Sequence, residues 1–161
     1  MKEKPDYQYL YHPSAMVPKG EWSAYVYGPD GQLKTSFTGS RNVVTTAGKD
    51  FVASFLVSAA AAASTFTCKY VAVGTGTTPE TAADTALVAE VVRTTAVVSH
   101  NGQGVYQLVA SFLTNSATGA ITEYGIFSSA TAGTMLARDT ESVINVGATD
   151  TLTVTAQVTL S

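Results

Sequence analysis

From Glu21 to Gly28 the chain alternates, with Trp22, Ala24 and Val26 to one side and Ser23, Tyr25 and Tyr27 to the other. That period of two belongs to a half-buried strand. Pro29-Asp30-Gly31 follows as a turn, because proline presets φ and glycine supplies positive φ. Gln32–Thr38 then returns as the second strand of a hairpin. Asn42–Thr45 is a short β-type run. The closing segment, Asp150–Leu160, has the cleanest pattern of all. Leu152, Val154, Ala156, Val158 and Leu160 fall on one side, and Thr151, Thr153, Thr155, Gln157 and Thr159 on the other. Such a segment reads as an antiparallel strand with one covered face.

Between these ends the period changes once. Phe51, Val52, Phe55 and Leu56 recur at helical spacing, and Thr45 or Thr46 is placed to cap them. The spacing predicts a helix from about Ala47 to about Ala60. The alanine run Ala59–Ala63 favours helix locally, or forms the small-residue end of a helix packed closely on a sheet. Tyr70–Gly74 is a short buried-type strand, and Thr75–Ala83 a loop broken by Gly76 and Pro79. Asp84–Glu90 reads as a helical turn capped by Asp84, and Val91–Ser99 as a strand. Asn101-Gly102 joins that strand to Gly104–Leu113, a hairpin signal. Ala120–Phe127 and Met135–Asp139 are further strands, joined across Ser128–Gly133. Roughly eight to ten short strands and one helix predict a mainly β fold. The expected architecture is an antiparallel β-sandwich, jelly-roll-like, with one short α-helix.

Residues 1–20 break the pattern and predict an extended N-terminal arm ahead of a β-sandwich domain over 21–161. No apolar stretch of secretory type follows the first lysines. Pro5, Pro13 and Pro18 argue against a helix or a central strand. Tyr7, Tyr9 and Tyr11 alternate with Gln8 and Leu10, so an extended chain puts the three rings on one face. With Met16 and Val17, they form a surface suited to lying on another protein. The other reading is a solvated tail whose tyrosines have no role.

Composition narrows the function. Ala, Val, Thr and Ser make up half of the 161 residues, and only 13% are charged, for a net charge of −3. A free-standing domain usually carries about 25% charged residues. Surfaces covered by neighbouring subunits do without them, so the composition leans towards an assembly component. Nine Lys and Arg are too few for a nucleic-acid partner. Cys68 alone makes no disulfide framework. No apolar run approaches the roughly 20 residues of a membrane helix.

Several phrases stand in a fixed order. Asn42-Val43-Val44-Thr45-Thr46-Ala47-Gly48-Lys49 precedes the helix, and Val71-Ala72-Val73-Gly74-Thr75-Gly76-Thr77-Thr78-Pro79 comes next. Asp84-Thr85-Ala86-Leu87, Glu90 and Arg93 follow. Then come Ile121-Thr122-Glu123-Tyr124-Gly125-Ile126-Phe127, Gly133-Thr134-Met135-Leu136-Ala137-Arg138 and Asp150-Thr151-Leu152-Thr153-Val154-Thr155. This series resembles small structural proteins of tailed bacteriophages, of tail-fibre, minor structural or head-decoration type. The resemblance spans about residues 21–160 and leaves the arm outside. It implies a component of the virion, made in the bacterial host cytoplasm.

Candidate chemistry is sparse. His12 and His100 have no second His or Cys at ligand spacing, so no zinc site is expected. No Asp-x-Asp-x-Asp loop supports calcium. No nucleophile elbow is present, and no catalytic residue or cofactor is expected. Gly74-Thr75-Gly76-Thr77-Thr78 looks like a phosphate loop but lacks the Gly-Lys-Ser/Thr ending. It reads as a tight strand-to-loop turn. Cys68, beside Lys69, reads as a structural thiol. Arg93, Glu123 and Arg138 lie in apolar strand contexts, where a charge requires a partner. The expected pairing joins Arg93 and Arg138 to Glu90 and Glu123. Separate solvated charges are the alternative.

The sequence therefore predicts a non-enzymatic capsid decoration (cement) protein, or a tail-fibre or fibre-anchoring protein. The expected partners are the major capsid protein or a tail protein, together with further copies of the chain in a homo-oligomer. The arm residues Tyr7, Tyr9, Leu10, Tyr11, Met16 and Val17 would supply the grip. An isolated carbohydrate-binding domain would want an aromatic platform, for which the body offers only scattered Tyr70, Tyr106 and Tyr124.

Overall fold

A computed structural model of the chain describes residues 18–57, 68–102 and 104–160. In chain order the strands are β1 (Pro18–Tyr27), β2 (Leu33–Arg41) and β3 (Val43–Val44), followed by the helix α1 (Thr46–Val57). Then come β4 (Tyr70–Gly74), β5 (Glu90–Thr95), β6 (Val97–His100), β7 (Val105–Phe112), β8 (Gly119–Phe127), β9 (Met135–Val146) and β10 (Thr151–Leu160). They form two five-stranded sheets, ordered β2-β1-β10-β7-β6 and β3-β9-β8-β4-β5. Every pairing is antiparallel. The fold is mainly β with one helix, as the sequence pattern predicts.

The two sheets share one core in a sandwich-like arrangement. Trp22, Ala24 and Val26 of β1 and Leu152, Val154, Ala156 and Val158 of β10 are buried. They join Val71 and Val73 of β4, Ile121, Tyr124 and Ile126 of β8, and Ile144 and Val146 of β9 in a single cluster. The ring centroids of Trp22 and Tyr124 lie 5.8 Å apart, one from each sheet. The alternation read from the first and last strands thus gives the observed facing.

The turns follow their residues. Gly31 has φ +77°, and its amide closes on the Gly28 carbonyl at 2.9 Å. The helix cap is Thr45, whose Oγ1 accepts the Gly48 amide at 2.9 Å and donates to the Met135 carbonyl at 2.5 Å. A cap bond to the third helical amide is the usual N-terminal solution. Val52 packs the helix against the core. The predicted residues 58–60 of the helix, and most of the alanine run, lie outside the described residues.

Other expectations change. Pro18, Lys19 and Gly20, read from the sequence as the end of the arm, belong to β1, opposite Leu160, Thr159 and Val158. Proline is tolerated as the first residue of a strand. The arm residues Tyr7, Tyr9, Leu10, Tyr11, Met16 and Val17, and His12, lie outside the described residues. Val91–Ser99 is not one strand. β5 belongs to the second sheet and β6 to the first, and the buried Ala96 between them bonds its amide to the Lys69 carbonyl at 2.7 Å. A small residue lets the chain pass from one sheet to the other. Asp84–Glu90 is not helical either. The Asp84 carboxylate instead takes the Thr81 amide at 2.9 Å and the Thr81 hydroxyl at 2.8 Å, closing a turn behind it. β9 continues seven residues past Asp139, to Val146.

Candidate functional site

β8 is buried from Ile121 to Phe127, on both of its faces. One face looks into the core. The other is covered by the irregular segment 75–89, which lies on the outside of the second sheet. Leu87 of that segment joins Ala72, Phe127 and Met135 in a small second cluster. Apolar contact alone is a modest anchor for so long a connection without regular structure.

Charge completes it. Glu123 of β8 and Arg138 of β9 stand side by side on this outer face, 0% and 1% exposed. Arg138 donates from Nη2 to Glu123 Oε2 at 2.9 Å and from Nε to the same oxygen at 3.2 Å. Both groups then reach into the covering segment. Glu123 accepts the amides of Gly76 at 3.0 Å, Val88 at 2.9 Å and Ala89 at 2.7 Å. Arg138 donates to the Thr78 carbonyl at 2.9 Å and to the Asp84 carboxylate at 2.9 Å. Thr122 donates to the Gly76 carbonyl, and Thr140 to the Glu80 carboxylate. The result is a latch in which a buried ion pair supplies hydrogen-bonding groups that the segment lacks by itself. A buried pair is tolerable when its remaining lone pairs and protons are satisfied in this way.

The glycine-rich turn belongs to the latch. A Cβ at Gly74 or Gly76 would sit 2.5 Å or 2.6 Å from Glu123 Oε1. Glycine is what lets the carboxylate approach the backbone. The amide that a phosphate loop would offer to a ligand is occupied by the chain's own carboxylate.

Electrostatics agrees with the geometry. Burial acts to raise the Glu123 carboxyl, but the amides of Ala89, Val88 and Gly76 and the Arg138 guanidinium outweigh it and hold it below its ordinary value. Asp84 is also lowered, as its bonds to Thr81 and Arg138 outweigh its burial. Asp150 is lowered by Lys34, 2.6 Å away, and by the Gly147 amide.

A second pair lies nearby. Arg93 Nη2 stands 2.7 Å from Glu90 Oε2, and its Nη1 donates to the Ser129 and Ala132 carbonyls at 2.9 Å and 2.7 Å. The guanidinium carbon lies 3.5 Å from the Phe127 ring centroid. The four charges singled out in the sequence are thus brought together as two pairs, Arg93 with Glu90 and Arg138 with Glu123. Asp84, read there as a helix cap, is the member that sequence reasoning missed. Its one signal was Thr81, three residues earlier.

Comparison with family models, curated proteins and solved structures finds no match. The site must therefore be read from its own residues. Among those described, no group of three His, Cys, Asp or Glu residues is arranged to hold a metal. His100 is exposed on β6, opposite Tyr106. Burial pushes the Cys68 thiol up to about 12, and Lys69 sits over the Tyr70 ring, 5.8 Å from its centroid. Of the three tyrosines weighed as a sugar platform, Tyr124 is fully buried and Tyr106 packs on the main core.

The outer face of the first sheet is one surface open to contact among the described residues. Its rows run Ser23–Thr155–Val109–Val97, Tyr25–Thr153–Ser111 and Glu21–Gln157–Gln107–Ser99 across neighbouring strands. Glu21 is the one charge in these rows, and Lys19 stands in the next row with Thr159 and Val105. Such a face carries little charge to desolvate when another surface covers it.

Proposed function

We propose that the protein is a non-enzymatic structural subunit of a bacteriophage virion, a decoration protein that binds the assembled head and stabilises it. The observation that carries this reading joins sequence to structure. Gly74, Gly76, Thr78, Asp84, Glu123 and Arg138 all fall within the phrases that resemble phage structural proteins, and together they build the latch. The resemblance therefore concerns a framework that holds a long loop on a sheet, which is more specific than a shared taste for Thr and Ala. The weakly charged outer face of the first sheet supports a role in covering another surface.

The same framework suits a tail-fibre or fibre-anchoring protein, and copy number separates the two. Densitometry of purified particles against the major capsid protein is the test. A band comparable with the capsid protein supports decoration, and a few copies per particle transfer the protein to the tail. Absence of the protein from purified particles overturns the proposal.

A further inference from the structure

Each sheet has two edge strands, and three of the four described edges are protected. β2 carries Lys34 and a register shift next to Gly39, which has φ +82°. β3 is two residues long. β5 carries Glu90 and Arg93. Short length, charge and bulges are the usual defences of an edge against pairing with another chain. β6, Val97-Val98-Ser99-His100, is four residues long but carries no Lys, Arg, Asp or Glu and no bulge. All four residues are exposed, Val97 at 74% and Val98 at 49%, and β6 pairs with β7 without a register shift. Val97 lies on the outer face beside Val109, and Val98 on the core face beside Leu108. The edge therefore begins with one exposed valine on each face, followed by Ser99 and His100, and no described strand pairs with its free side.

The chain contains a segment suited to it. Tyr7-Gln8-Tyr9-Leu10-Tyr11 alternates with the period of a strand and matches β6 in length. It is joined through residues 12–17 to Pro18, which opposes Leu160 at the end of the first sheet where β6 finishes. Reaching the free side of β6 within one chain means crossing four strand spacings, about 19 Å. It also means rounding the turn between His100 and Val105. The seven steps from Tyr11 to Pro18 span at most about 25 Å, which leaves little slack for that detour, and Pro13 restricts their path. A second copy presents its edge without that detour.

We infer that residues 7–11 of one copy add as a sixth strand to the β6 edge of a second copy. This is β-strand addition, in which main-chain hydrogen bonds supply affinity and alternate side chains supply fit. The three tyrosine rings lie on one face and Leu10 on the other, so Val97 and Val98 both gain a partner. The inference rests on the arm being a docking segment and is independent of any role in a virion.

Sedimentation equilibrium of the purified full-length chain tests it. The parent is expected to self-associate with rising concentration. Val97→Lys places a charge on the edge, and the triple variant Tyr7→Ser, Tyr9→Ser, Tyr11→Ser removes the rings. Each is expected to lose self-association while melting like the parent, since Val97 is exposed and the three tyrosines precede the first described strand. An equimolar mixture is expected to associate again, because one variant keeps an intact arm and the other an intact edge. Three outcomes overturn the inference. Failure of the mixture to associate removes the arm–edge contact. Association of the tyrosine variant at parental strength points to direct pairing of two β6 edges. A monomeric parent whose Val97–His100 amides are protected from exchange only when the tyrosines are present assigns the edge to the chain's own arm.

Discussion

Arg138 and Glu123 stand 2.9 Å apart on the outside of a sheet, yet neither is exposed, because each also holds the segment that covers it. Removing one partner strands the other. Replacing one member of a buried pair typically costs about 3–5 kcal/mol. Glu123→Ala and Arg138→Ala are each expected to fall in that range by urea denaturation. The double variant should be less destabilised than the sum of the two, because the second change removes the charge that the first left unpaired. Additive losses would show that the two side chains act separately.

The latch has a pH signature. Glu123 and Asp84 are lowered in the folded chain, so their contribution is full above the unfolded carboxyl values, near 4. It is lost as pH falls through the folded values. The urea midpoint is expected to be flat from about pH 5 to 8 with respect to these groups, and to fall below about 4. In Glu123→Gln the acid-side slope should be shallower. An unchanged slope would remove Glu123 as a source of the pH dependence.

At Gly48 local propensity and packing oppose each other. Alanine in a helix interior is usually about 1 kcal/mol better than glycine. Here a Cβ would lie 2.3 Å from the Leu136 carbonyl oxygen and 2.7 Å from Leu136 Cα, both backbone atoms of β9. Gly48→Ala is therefore expected to destabilise, by about 1–3 kcal/mol as for other overpacked sites. A rise in melting temperature would show that the helix can move off the strand.

Much of this was legible in the sequence, and the misses have definite causes. The facing of β1 and β10 follows from strict alternation, and the Thr45 cap from a hydroxyl residue just ahead of an apolar helical repeat. The split of Val91–Ser99 was hidden because Ala96 does not interrupt a run of β-branched residues. What divides it is a change of sheet, which is a tertiary event. Asp84 was misread because an acidic residue ahead of Thr85-Ala86-Leu87 looks like a cap, while its real partners are Thr81 behind it and an arginine 54 positions ahead. The pairs Arg93–Glu90 and Arg138–Glu123 were foreseeable only from the cost of charge in apolar strands.

The second pair should be lopsided. Glu90 is part-exposed and contributes about 0–1 kcal/mol, as surface partners do. Arg93 also satisfies two backbone carbonyls and stacks on Phe127. Arg93→Ala is thus expected to cost more than Glu90→Ala, by at least the ~0.5–1 kcal/mol of a cation–π contact. Equal losses, measured by thermal melts, would mean that the ion pair alone accounts for both.

The arm and the body should separate cleanly at Pro18. Deleting residues 2–17 leaves every described strand intact, whereas a deletion through Gly20 removes three β1 residues opposite β10. The shorter deletion is expected to melt like the parent, and the longer one at lower temperature. If the two melt alike, the start of β1 contributes nothing to stability.

The proposed role of the protein is to bind an assembled phage particle. The most direct measurement is co-sedimentation of the purified chain with phage heads from which it has been omitted. Saturable binding, with a rise in the disruption temperature of the heads, is the expected result. Failure to bind either heads or tails at any concentration would contradict it.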